Sequence, residues 1–184
     1  MQEEGEKPRL LVVGLGCIGV ACGATLGLKL GLEVRFLSRP SSELDAVNES
    51  GLCLTFPEGN MEVFRPAMIT SDAQLAYANV NVILVCTKRS ANADVAKSLA
   101  QFAPQNCLVC MLQNGLKQAE EFHDVLASYN RQDLVCSNTV VHFNAVKLAP
   151  GAFKWVVSHF PVAASNDAKC SLLASAKTHA YVLY

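Results

Sequence analysis

Charge is scarce in this chain, and neither sign dominates. Charged side chains make up 17% of the 184 residues, and 15 basic against 16 acidic groups leave a net charge of -1. Without a basic excess there is no electrostatic pull towards nucleic acid or an anionic membrane, and neither is expected as a partner. Low-complexity tracts and repeats of solenoid length are absent as well. Apolar residues reach 51%, too many for a disordered chain and enough for one sizeable core. The composition is that of a soluble globular protein.

Catalytic and metal-ligating clusters are missing too. No Ser–His–Asp order and no group of metal ligands emerges. His123 sits beside acids in a helix-like stretch and His179 near the last residue, positions that a surface role explains. His142 and His159 fall among the later strands, and His142 is a candidate for a mutational check as an acid–base group. Eight cysteines lie mostly inside apolar runs, where free thiols pack as small hydrophobes, so a reducing compartment and hence the cytoplasm are expected. Cys107 and Cys110 have a metal-like spacing, but a strand points residues three apart to opposite faces.

One uncharged run, residues 10–28, is 19 residues long, about the length of a membrane span. Its flank from Met1 to Lys7 is acidic, unlike a signal peptide, and glycines at 14, 16, 19, 23 and 27 punctuate it. The run therefore reads as strand, turn and helix. Around it the pattern alternates. Strands are expected at 10–13, 33–37, 80–86, 107–112 and 134–141, and helices at 17–30, 41–50, 72–77, 91–102 and 116–126. A hairpin is expected from 52–56 and 62–65 around Pro57-Glu58-Gly59-Asn60. After Pro150-Gly151 the segments 153–157 and 180–184 look extended and 167–176 helical. Strands alternating with helices predict a doubly wound α/β fold with a mainly parallel sheet.

The strongest chemical signal is Gly14-Leu15-Gly16-Cys17-Ile18-Gly19, entered by an apolar strand and left by a helix. In that context Gly14 permits a tight turn, Gly16 admits a pyrophosphate to the backbone, and Gly19 lets helix and strand pack closely. The helix N-terminus would present free N–H groups to the phosphates. The plainer alternative is a glycine-rich turn that packs tightly and binds nothing. The second strand ends in Ser38-Arg39, with no acid to bond a ribose 2′-hydroxyl. A guanidinium and a hydroxyl suit a 2′-phosphate, which points to NADP(H) over NAD, although a solvated surface arginine would look the same. Lys88 and Asn114 follow two further strands, on the edge where ligands of open α/β sheets bind. Each taken singly is more often an ordinary loop residue.

Gly14–Gly19, Ser38-Arg39, Thr87-Lys88 and Gln113-Asn114-Gly115, in this order and spacing, resemble the N-terminal half of the ketopantoate reductase family over about residues 9–151. The resemblance implies a Rossmann-type domain that, with a helical second domain, reduces 2-dehydropantoate to pantoate with NADPH in pantothenate biosynthesis. It implies that Gly14, Leu15, Gly16, Cys17, Ile18 and Gly19 hold the pyrophosphate and that Ser38 and Arg39 face the 2′-phosphate. It sets Lys88 and Asn114 at the nicotinamide and substrate end, as cofactor-binding and catalytic groups.

Departures from the family's pattern shape the remaining expectations. A polar tail covers 1–8 and one NADP-binding domain 9–184, the helical domain with its proton-donating lysine being absent. Lys169 and Lys177 precede that lysine's place and read as exposed charges. Phe153-Lys154-Trp155-Val156-Val157 stands where the family often has a glycine-rich stretch, which loosens the inference about substrate. The chain is thus expected to supply the cofactor half, to turn over little alone, and to leave an apolar face for a second copy or a partner. Two other functions fit the same residues: an NADP-binding regulatory module without catalysis, and a reductase of another 2-oxo acid.

Overall fold

The computed structural model describes residues 7–114, 118–139, 141 and 143–157. Its elements follow the expected alternation: β1 (Arg9–Val13), α1 (Cys17–Leu30), β2 (Glu33–Leu37), α2 (Ser42–Ser50), β3 (Leu52–Thr55), β4 (Met61–Phe64), β5 (Met68–Thr70) and α3 (Ala73–Tyr77). They continue with β6 (Val82–Val85), a 3-10 turn at Arg89–Ala91, α4 (Asn92–Phe102), β7 (Leu108–Met111), α5 (Gln118–Ser128), β8 (Val135–Asn138), β9 (Phe143–Ala149) and β10 (Ala152–Val157).

Local chemistry sets several boundaries. Ser41 caps α2 by accepting the Leu44 N–H at 3.3 Å, and Asp72 caps α3 by accepting that of Leu75 at 3.2 Å. Gly31, left-handed at φ 62°, stops α1 and donates its N–H to Gly27 O. α4 ends under a side chain: the Arg131 guanidinium donates to the carbonyls of Leu99, Ala100, Ala103 and Pro104, and Asp133 holds it at 2.8 Å.

Two sheets result. Six parallel strands lie in the order β5-β2-β1-β6-β7-β8, the doubly wound arrangement. β6 and β7 are buried at every residue, as parallel strands covered on both faces must be. On one face Leu11, Ile83, Val85 and Met111 pack with Tyr77, Leu99 and Phe122 of the helices. On the other, Leu10, Val12 and Leu84 pack with α1 and with the second sheet's Phe64, Phe153 and Trp155. α1 fits between the sheets because it is thin there: a Cβ on Gly23 would come within 2.6 Å of the Phe36 ring, and one on Gly27 within 2.3 Å of the Phe64 ring.

The smaller sheet, β4-β3-β10-β9, is mixed. The expected β3–β4 hairpin is present, and the extended segment at 153–157 becomes β10. Sequence reading anticipated neither β5, three half-buried residues on a sheet edge, nor β9, nor β10 running parallel to β3. Buried Glu43 of α2 ties this sheet in: it accepts the Gly151 N–H at 2.7 Å and pairs with Lys147. The expected elements at 167–176 and 180–184 lie outside the described residues, as do Lys169, Lys177, His142, His159 and His179. Among the described residues no helix is long and apolar enough to cross a membrane.

Candidate functional site

The chain leaves β1 for β2 and β5 on one side, then crosses to β6 on the other, so the strand order reverses between β1 and β6. Ligands of doubly wound sheets bind at that reversal, beyond the carboxyl ends of the strands. Gly14 emerges there from β1, Ser38 and Arg39 follow β2, Lys88 follows β6, and Asn114 follows β7.

The glycines differ in what requires them. Gly14 has φ +111°, donates its N–H to Leu37 O at 2.9 Å, and leaves only 3.1 Å between a Cβ and Thr87. A Cβ on Gly19 would stand 2.4 Å from the Gly14 carbonyl oxygen. The protein's own packing demands both. Gly16 is different: its φ of -91° and ψ of 172° suit any residue, and among the described residues beyond its chain neighbours nothing lies within 4 Å of a Cβ placed there. Gly16 is also the N-cap of α1, which has no side-chain cap and no acid in its first turn. Open space thus stands beside uncapped helix N–H groups, an arrangement whose charge suits a phosphate. Leu15, Cys17 and Ile18 are half-buried and pack against the core, leaving their backbone to serve that space.

Two cations follow strands at the same edge of the sheet. Arg39 and Lys88 are exposed, and neither makes an ion pair or side-chain hydrogen bond among the described residues. Ser38, at the β2 exit, donates its N–H to Thr70 O at 3.0 Å, which joins the ends of β2 and β5. Asn114 is exposed beside Gln113. The loops bearing Lys88 and Asn114 touch, since Gln113 Nε2 donates to Thr87 O at 2.9 Å and to Asn92 Oδ1 at 2.6 Å.

Sequence reasoning missed these second contacts, and it missed Asn138 at the end of β8. Asn138 Oδ1 accepts the Ala119 N–H at 2.8 Å and so anchors the start of α5. A polar residue closing an apolar strand was the available signal for Asn138; for Asn92 there was none.

Four of the described cysteines are poorly placed to act as nucleophiles. The seven described cysteines are free, and Cys107 and Cys110 belong to opposite faces of the sheet. Burial pushes the Cys22 and Cys86 thiols well up and those of Cys107 and Cys136 to about 11, so all four stay protonated near neutrality. No cluster among the described residues is suited to hold a metal. His123 is partly exposed, 4.0 Å from Asp124, in keeping with a surface role.

The family model for ketopantoate reductase PanE/ApbA matches residues 10–163. The chain belongs to the ketopantoate reductase family. A 2-dehydropantoate 2-reductase of Halobacterium salinarum is 32% identical over 148 residues, covering 79% of this chain and 45% of that protein. An opine dehydrogenase of Arthrobacter is 25% identical over 134 residues, covering 73% and 37%. The crystal structure of 2-dehydropantoate 2-reductase from Porphyromonas gingivalis superposes with a TM-score of 0.74 at 25% identity, covering 93% of this chain and 62% of that one. The chain therefore spans less than half the length of these two curated relatives. Ketopantoate reductases are oxidoreductases that work with a nicotinamide dinucleotide, and the parallel sheet with its glycine turn is the part of the family fold seen here.

Proposed function

We propose that this chain binds NADPH at the β1–β6 reversal and serves the reduction of a 2-oxo acid, 2-dehydropantoate first among them. Gly16 carries the reading. It is a glycine that neither backbone conformation nor packing requires, and its open side adjoins the uncapped start of α1. A bare packing turn needs Gly14 and Gly19, whereas at 16 glycine brings it only the modest preference of an N-cap.

The residues divide the cofactor between them. First-turn N–H groups of α1 hold the pyrophosphate, and the helix dipole adds to their attraction. Arg39 and Ser38 take the 2′-phosphate, and no acid directly follows β2 to bond a ribose 2′-hydroxyl, which favours NADPH over NADH. Lys88 and Asn114 face the nicotinamide and substrate end: the ammonium holds a carboxylate or ribose oxygen, and the amide orients a carbonyl. When bound, the nicotinamide supplies the hydride for a ketone carbon. The free thiols support a reducing compartment such as the cytoplasm.

Fluorescence titration of the chain with NADPH and NADH tests this. Saturable binding that prefers NADPH is expected, weakened about tenfold or more in Arg39→Ala through loss of a charge-assisted contact. Equal affinity for both cofactors withdraws the Arg39 assignment, and no binding by a folded chain withdraws the site. The likeness to an opine dehydrogenase favours a second reading, in which the acceptor is another 2-oxo acid. A substrate panel on a version extended to the relatives' length separates the two.

A further inference from the structure

Gln113 has no task in the reading above beyond standing next to Asn114. Its side chain nevertheless reaches two other segments. Nε2 donates to the Thr87 carbonyl at 2.9 Å and to Asn92 Oδ1 at 2.6 Å, with Thr87 Oγ1 at 3.4 Å. A backbone carbonyl can only accept, so the Thr87 contact decides which way round the amide sits. Turned over, Oε1 would face the Thr87 carbonyl oxygen and that bond would be lost.

Thr87 is also the residue against which Gly14 packs, at 3.1 Å from a Cβ there. Lys88 follows Thr87 directly, and its carbonyl accepts the Ala91 N–H at 2.9 Å, closing the turn that leads into α4. Asn92 is the first residue of α4. One carboxamide therefore joins the β6 exit, the start of α4 and the β7 exit, while Thr87 passes the connection to the glycine turn. Lys88 and Asn114 are exposed side chains on separate loops. Among the described residues no side-chain hydrogen bond other than those of Gln113 joins the two loops.

We propose that Gln113 is a positioning residue: its carboxamide sets the Thr87–Lys88 turn against Asn114, so that Lys88 and Asn114 meet the same bound cofactor. This rests on the reading that both residues face the nicotinamide end, and it adds a residue that acts only through them. A group held by preorganised neighbours loses less freedom on binding than one on a wandering loop.

Two measurements on the 184-residue chain test it, with Gln113→Leu removing the donors and Gln113→Glu keeping the shape while presenting an acceptor to Thr87. In hydrogen exchange, the Ala91 and Asn92 amides, bonded to Lys88 O and Arg89 O, are expected to exchange about tenfold faster in both variants, with β1 and β6 unchanged. Unchanged exchange at 91 and 92 overturns the link. In NADPH titration, Gln113→Leu is expected to weaken binding about tenfold when Lys88 is present and less than about twofold in a Lys88→Ala background. Equal weakening in both backgrounds overturns the positioning role and leaves Gln113 a structural residue. Should the unchanged chain not bind NADPH, the functional reading falls, and the exchange result alone judges Gln113.

Discussion

Replacing Gly16 by alanine separates what the fold needs from what a ligand needs. Among the described residues beyond its chain neighbours nothing stands within 4 Å of the new Cβ, and φ -91° with ψ 172° is ordinary extended backbone. Stability then changes by two small opposing effects. Alanine is a poorer N-cap than glycine, a loss of about 0.5–1 kcal/mol. The stiffer unfolded chain returns about 0.4–1 kcal/mol, so the net change should stay within about 0.5 kcal/mol. NADPH affinity is expected to fall by tenfold or more, about 1.4 kcal/mol, because the methyl group occupies the space beside the helix N–H groups. Gly19→Ala is the control: its Cβ would meet the Gly14 oxygen at 2.4 Å, and backbone cannot move aside as a side chain does. Overpacking of that kind costs about 1–3 kcal/mol. Urea denaturation and fluorescence titration on the same samples read both quantities. NADPH binding undiminished in Gly16→Ala would refute the reasoning, and so would a loss of stability as large as that of Gly19→Ala.

Other consequences concern stability and reactivity. Arg131→Ala uncovers four carbonyls at the end of α4 and frees Asp133, and should cost about 2 kcal/mol in urea denaturation; a cost near zero would mean water replaces the cap. The same guanidinium holds the Asp133 carboxyl below its usual range, so this pair's contribution is complete above the unfolded pKa and fades as pH falls through the lower folded one. Asp133→Asn should therefore flatten the acid limb of stability measured below about pH 4. Glu43→Ala leaves the buried Gly151 N–H and Lys147 without their partner, and a loss of about 1–3 kcal/mol is expected in thermal or urea unfolding; an unchanged midpoint would show that the tether is dispensable. With thiols raised to about 11, Cys107 and Cys136 should resist alkylation in the native chain at pH 8 and react once it is unfolded, as mass spectrometry would report.

Much of the fold was legible because it is written in short-range chemistry. The bounds of α1 could be read from the glycine turn before it and Gly31 after it, and α2 and α3 begin where Ser41 and Asp72 supply caps. The apolar runs at β6 and β7 declared strands buried on both faces. The Gly14–Gly19 motif, Arg39, Lys88 and Asn114 were all visible, since each sits at the end of a recognisable strand.

What stayed hidden depends on partners far away in the chain. β5 has three half-buried residues and no pattern of its own; it is a strand because β2 offers it an edge. β10 becomes part of a second sheet by pairing in parallel with β3, about a hundred residues earlier. The Gln113 carboxamide acquires its use only when Thr87 and Asn92 arrive opposite it. The three motif glycines look alike as letters, and only their surroundings tell them apart. Gly19 faces the Gly14 carbonyl and Gly16 faces open space. Periodicity and capping act within a few residues and leave their mark in sequence, whereas pairing, close approach and vacancy are relations between distant segments that exist only once the chain has folded.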